Sequence, residues 1–364
     1  MFELTNEQRK CFALTPVLES WRKIQIKAGG NDDFITYAFL DGKRIVKVIQ
    51  VCDFAGKEMY YEYGVDLLLS DDCTKIMPKT SKGKPQILTV SSLTSKTPVG
   101  MALAFNRGKI VVVNNNTSQN YYRSDYESNE IKDLQAFADW VEMWCCHTGV
   151  EEMSEINEFS QRKKTHKKYQ EGDFFRFKIS RHLYGYGRIL VDYAKMRKDG
   201  VPFWDIFMGK PLCVAVYHIV TEDKTLTPDQ LVGYKMLPSQ MIMDNIFYYG
   251  ECEIIGNIPI APDEDNYTVH YGRSIDIKHP NVFCYQNGKV FAQIASLLAI
   301  KADYSNNGIG WSLNIKLPIL LKCIEEGSNV PYWDMMPQWK VDGDLRNPKF
   351  EDELKRIKER MGVN

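Results

Sequence analysis

Apolar and polar residues alternate along the first part of the chain. In residues 21–27, Ile24 and Ile26 fall on one side and Trp21, Lys23, Gln25 and Lys27 on the other, the pattern of a strand with one core face. Residues 34–40 and 43–51 flank Asp41-Gly42, and residues 101–106 and 109–113 flank Arg107-Gly108. Each arrangement reads as a hairpin. Residues 60–63 add a further strand, and Thr5 with Gln8 three positions on predicts a capping box for a short helix. From Ile131 the period changes. Ile131, Leu134, Ala138, Val141 and Cys145 recur at three and four, predicting a helix with Ser128 or Asn129 as cap and Gly149 as stop.

The second half returns to strand patterns. Gly172-Asp173 is a turn signal, residues 174–179 suit a sheet, and Ser180-Arg181-His182 interrupts the run. Tyr184, Tyr186, Arg188 and Leu190 then share one face of a returning strand, while Gly185 and Gly187 leave the other bare. Bare glycines in a strand imply a bulge, a bend or close approach of other groups. Residues 211–220 are apolar on both faces, as in a central strand, and 228–237 read as a polar connection. Residues 247–256 read as a strand, and 282–294 as a hairpin around Asn287-Gly288. Residues 318–327 open with proline and close with glycine, a helix signature. Asn347 and Pro348 begin a last helix, with Phe350, Leu354, Ile357 and Met361 on one face and Asp352/Arg356 and Glu351/Lys355 pairs beside it.

These patterns predict an α+β protein with two β-rich domains. Each is expected to be a strongly curved antiparallel sheet or partial barrel with one or two packed helices. The boundaries are 1–160, a basic linker 161–170, and 171–364. Five basic residues and a histidine occupy 161–168 without an apolar residue among them, which reads as a solvated linker. The formal net charge of the 364 residues is −1, so nucleic acid is not an expected partner. No apolar run approaches a membrane span. Nine scattered cysteines, none spaced Cys-x-x-Cys, read as reduced thiols of a cytoplasmic protein.

Motifs for chemistry are missing from the sequence pattern. The six histidines form neither His-x-His nor His-x-x-x-His, and Cys145-Cys146-His147 diverge around a helix, so no metal or other cofactor is expected. Gly185-Tyr186-Gly187 lacks the third glycine of a phosphate loop, and no Gly-x-Ser-x-Gly occurs. No catalytic residue is assigned, although a site assembled from distant carboxylates is not legible in one sequence. Two surface candidates stand out. Asp263-Glu264-Asp265 is an acidic loop, either a solvated turn or a patch meeting a basic partner. Trp333 and Trp339 lie in an aromatic, methionine-rich segment that is either clamped on the core or part of an interface.

Gly172-Asp173-Phe174-Phe175-Arg176-Phe177 followed by Tyr184-Gly185-Tyr186-Gly187-Arg188-Ile189-Leu190 resembles the start of the immunity protein 26 family. Glu253-Ile254-Ile255-Gly256-Asn257-Ile258-Pro259 is similar to the family's apolar strand before Gly-x-x-Pro. Residues 339–348 resemble a closing motif of longer members, so the resemblance spans about 168–348. It implies a bacterial immunity protein that binds a cognate polymorphic toxin and neutralises it by stoichiometric contact. Tyr184, Tyr186, Arg188, Asp263, Glu264, Asp265, Trp333 and Trp339 are the candidate contacts, the first three equally candidates for the core. Some relatives carry a phosphotriesterase label. The sequence departs from the clustered histidines of a binuclear-metal enzyme of that kind, and phosphoester hydrolysis stays as the alternative, beside a generic two-domain ligand-binding protein.

Overall fold

The computed structural model describes residues 2–26, 34–128, 130–274, 281–300, 304–305, 309–336 and 343–363. All ladders between its strands are antiparallel. The chain divides into two units, Met1–Thr165 and His166–Asn364.

In the first unit, helix α1 (Asn6–Lys10) carries the capping box its spacing predicts, Thr5 and Gln8 each accepting the other's backbone N–H. The strands are β1 (Arg22–Ile26), β2 (Ile35–Asp41), β3 (Arg44–Cys52), β4 (Met59–Leu68), and the short β5 (Lys75–Ile76) and β6 (Gln86–Ile87). Helix α2 (Val90–Thr94), β7 (Val99–Asn106), β8 (Lys109–Asn114) and β9 (Gln119–Arg123) follow. Seven of them form one sheet in the order β1-β2-β3-β4-β7-β8-β9. Arg107 and Gly108 both take positive φ, 49° and 78°, as the twist-matched two-residue turn requires. At the other hairpin the turn lies one residue later than the Asp-Gly signal suggests. Asp41 pairs with Arg44, so Gly42 (φ 58°) and Lys43 make the loop.

After α3 (Ser124–Glu127) come α4 (Leu134–Cys146) and α5 (Val150–Ser160). Asp133, not Ser128, caps α4 by accepting from Ala136 N–H at 2.8 Å; Ser128 instead ends α3 in a left-handed conformation, and Asn129 lies outside the described residues. Gly149 is the N-cap of α5, a helix that the sequence pattern does not reveal because only Ile156 and Phe159 on it are buried. Phe137, Val141, Trp144, Ile156 and Phe159 pack with Phe105, Ile110 and Val112 of the sheet, while Ala38, Leu40, Val48 and Tyr63 belong to a second core with Leu93 of α2.

One group of buried charges crosses the first sheet. Glu62 is fully buried and accepts from Arg9 Nε at 2.8 Å, from Lys47 Nζ and from the Tyr60 hydroxyl. Burial alone would raise the Glu62 pKa, but Lys47 and Arg9 hold it below the ordinary carboxylate value. Burial dominates at Lys47 and lowers its pKa.

The second unit contains two larger sheets where one was expected. Strands β10 (Asp173–Lys178) and β11 (Tyr184–Asp192), helix α6 (Tyr193–Lys198), β12 (Pro211–Thr221), α7 (Pro228–Leu231), β13 (Gln240–Met243), α8 (Asn245–Tyr248) and β14 (Glu253–Asn257) supply the first, ordered β13-β12-β11-β10-β14. Residues 228–237 therefore hold a helix, and 247–256 begin as a helical turn before the strand starts. The second sheet is β15 (Val269–Arg273), β16 (Val282–Asn287), β17 (Val290–Ala295) and β18 (Tyr304–Ser305), ordered β17-β16-β15-β18. Neither order returns to its first strand, so neither sheet is a closed barrel. Asn287 pairs with Val290, which again leaves the glycine, Gly288 (φ 52°), first in the loop.

Helices α9 (Leu317–Glu326), α10 (Val330–Met335) and α11 (Glu351–Met361) complete the unit. Gly327 ends α9 at φ 60°, and Asn347 accepts from Lys349 N–H where a short 3₁₀ turn precedes α11. Ile357 and Met361 are buried against Tyr271 and Phe283, with Phe350 and Leu354 partly covered. Arg356 pairs with Glu353, three residues back at 2.9 Å, in place of the predicted Asp352.

Candidate functional site

The β10–β11 hairpin is built by glycines facing aromatic rings. Phe175 lies opposite Gly187 and Phe177 opposite Gly185. A Cβ on Gly187 would fall onto the Phe175 ring and 2.5 Å from the Ala215 carbonyl oxygen; one on Gly185 would meet the Phe177 ring and Ile179 Cδ1. The pairing of β11 with β12 also shifts register between Gly185 and Gly187. The bare face is thus both a bulge and a seat for rings.

The other face is buried as well. Tyr186 is fully buried and donates its hydroxyl to the Asp223 carbonyl at 2.6 Å. Arg188 is 4 % exposed; its Nη2 donates to the carbonyls of Ile258 (2.6 Å) and Pro259 (2.9 Å), and its guanidinium lies 4.8 Å from the Phe174 ring centroid. Both side chains take the core position the sequence also allowed: Phe174 and Tyr217, stacked at 5.8 Å, belong to the same core as Tyr186, and Arg188 fastens β11 to the chain leaving β14. Tyr184 stays half-buried, with the Arg176 guanidinium 5.4 Å from its ring. Asp263 and Asp265 are exposed, Glu264 and Trp333 half-buried, and Trp339 lies outside the described residues.

Tertiary structure brings three of the candidates together. Glu264, Asp265 and Trp333 line one cleft of about 450 Å³, together with Tyr234, Lys235 and Arg346. The acidic loop is pinned by Asn266, whose side chain donates to the Leu237 carbonyl at 2.9 Å and accepts from Ser239 N–H at 3.1 Å. Glu264 Oε1 accepts from Asn266 N–H at 3.0 Å. Arg346 makes a two-pronged pair with the buried Asp344, at 3.0 and 2.7 Å, and reaches Ser239 Oγ at 2.9 Å. Burial alone would lower the Arg346 pKa; Asp344 outweighs it and raises it. Lys235 Nζ donates to the carbonyl of Gly327 at the end of α9, at 2.5 Å.

Behind the cleft, His218 Nε2 lies 2.8 Å from Asn329 Oδ1, and Asn329 Nδ2 donates to the Met236 carbonyl at 3.0 Å. The ring nitrogen therefore carries the proton, and burial lowers the His218 pKa. Burial pushes Tyr217 and Tyr267 up to about 12; Glu264 adds to the rise and Arg188 opposes it, so hairpin and acidic loop share one electrostatic neighbourhood. His218, Lys235, Asn329 and Arg346 escape sequence reasoning because they stand in four separate segments, and the 339–348 motif that holds Arg346 gives no sign of the other three. Among the described residues no group of three or more His, Cys, Asp or Glu side chains could hold a metal ion, and no helix is long and apolar enough to cross a membrane.

The hairpin with its facing glycines and the strand ending in Gly-Asn-Ile-Pro are the features that a family comparison can test. Residues 170–278 match the immunity protein 26 family. The Imm26 match takes in β10 to β15, the Arg188 clamp and the acidic loop, and ends before Trp333 and the closing motif at 339–348. No curated protein matches the chain, and no solved structure does.

Proposed function

We propose that this chain is a bacterial immunity protein that neutralises a cognate protein toxin by stoichiometric binding, acting in the cytoplasm through its C-terminal β-rich region, 171–364. The match of residues 170–278 to Imm26 carries this reading. The nine free thiols fit a reducing compartment. The surface around the cleft has the composition of an interface: Trp333 and Tyr234 line it, and the exposed apolar residues Val232, Val330 and Met335 stand close to lining residues in sequence. Aromatic anchors of this kind dominate binding energy where proteins meet. Co-expression with the protein encoded in the adjacent reading frame tests the reading. Host growth should be restored and the two proteins should co-purify in fixed ratio; killing that proceeds unchanged refutes it.

A further inference from the structure

The charges of the cleft are unevenly spent. Its two cations have intramolecular partners: Arg346 is engaged by Asp344 and Ser239, and Lys235 by the terminal carbonyl of α9. Its two carboxylates have no charged partner. Among the described residues neither Glu264 nor Asp265 forms an ion pair, and Glu264 accepts only a backbone N–H. The Asn266 side chain fixes the loop to residues 237–239, so the carboxylates are held at the cleft without an ion-pair partner. Trp333 supplies an aromatic wall on the same cleft. Carboxylates beside an aromatic surface suit a guanidinium or ammonium group, which pairs with the acids while stacking on the ring.

We infer that this cleft is the receptor for a basic side chain, an arginine by preference, projected by the partner protein. The inference rests on the immunity reading and names the chemistry the partner must present there. Arginine fits better than lysine because its planar fork addresses two carboxylate oxygens and its face lies flat on indole. The balance of charge matters equally: Asp344 neutralises Arg346, while Lys235 contacts only a neutral carbonyl, so two carboxylates against one unbalanced ammonium leave the cleft lining net negative toward the partner.

Two arms test it on the full-length protein. In the first, N-acetyl-arginine amide and the neutral N-acetyl-citrulline amide are titrated while the indole N–H signal of Trp333, assigned with Trp333→Phe, is followed by NMR. The arginine compound should shift the signal saturably and lose its effect as salt rises; the citrulline compound should not. Equal responses, or none, overturn the inference. In the second arm the Glu264→Gln/Asp265→Asn variant is compared with the native protein for affinity toward the adjacent-frame toxin. Glu264→Gln keeps a side-chain oxygen to accept the Asn266 N–H, and an unchanged melting temperature confirms the fold. Affinity should fall about 30-fold or more, since removing one side of a desolvated charge pair strands the other. Native protein that neutralises the toxin beside a variant that binds equally well overturns the cleft inference and leaves the immunity reading standing. Failure of the native protein to neutralise, with the arginine-specific shift present, overturns the immunity reading alone.

Discussion

Gly187 tests whether the hairpin glycines serve ring packing or only a bend. Neither Gly187 nor Gly185 has a left-handed φ, so replacing them strains no backbone torsion and the cost is contact alone. In Gly187→Ala the new methyl meets the Phe175 ring and, at 2.5 Å, the Ala215 carbonyl oxygen of the central strand β12. A ring end can swing aside, but a ladder carbonyl cannot move without disturbing the sheet. Overpacking costs about 1–3 kcal/mol in general, and the fixed carbonyl puts Gly187→Ala near the upper end. In Gly185→Ala the close atoms are side-chain ends, Phe177 Cζ and Cε1 and Ile179 Cδ1, which puts that change near the lower end, about 1 kcal/mol. For a unit of this size these correspond to drops in Tm of roughly 6–12 °C and 2–4 °C. Calorimetry of the full-length chain measures both. Trimming the ring discriminates further: in double-mutant cycles Phe177→Leu should recover most of the Gly185→Ala loss, while Phe175→Leu should recover little of the Gly187→Ala loss. Equal costs for the two glycines, or full recovery of Gly187→Ala by Phe175→Leu, would refute the reasoning.

Two further outcomes follow from buried charge. Glu62→Gln leaves Lys47 buried without its paired carboxylate and Arg9 with only Glu3 at 3.5 Å, and the first unit should lose about 3–5 kcal/mol in urea denaturation, whereas replacing Glu62, Lys47 and Arg9 with apolar residues of similar volume should cost far less; a loss under about 1 kcal/mol for Glu62→Gln alone contradicts this. His218 is held neutral by burial, with a folded pKa below the ordinary 6.5. As pH falls through that value the unfolded chain takes up a proton that the folded chain resists, so this contribution to stability is whole at higher pH and shrinks on acidification. His218→Gln, which keeps a donor for Asn329, should flatten the slope of Tm against pH between about pH 7 and pH 5; identical slopes would remove His218 as the cause.

Local chemistry by itself determined much of this protein. Thr5 with Gln8, Arg107-Gly108, the terminal glycine of α9 and the Asn347-Pro348 start each act within a few residues, so each was readable without the rest of the chain. The signal failed where it was local but ambiguous. At Asp41-Gly42 and Asn287-Gly288 the strand extends through the acidic or amide residue, and the positive φ falls on glycine at the first turn position. Helix α5 escaped because it buries only two side chains, too few to impose a period.

Tertiary structure buried both faces of β11 and decided which residues share a site. Alternation placed Tyr186 and Arg188 together, but only the stacking of Phe174 on Tyr217 and the carbonyls of Ile258 and Pro259 made that face interior. The cleft is the fullest case. Glu264, Trp333 and Arg346 are brought to one cavity by two sheets and a helix pair, and each belongs to a segment whose sequence says nothing of the others. Periodicity records how a residue relates to its own strand or helix. It holds no record of the distances between elements, and those distances are what pair a charge with its partner or leave it free.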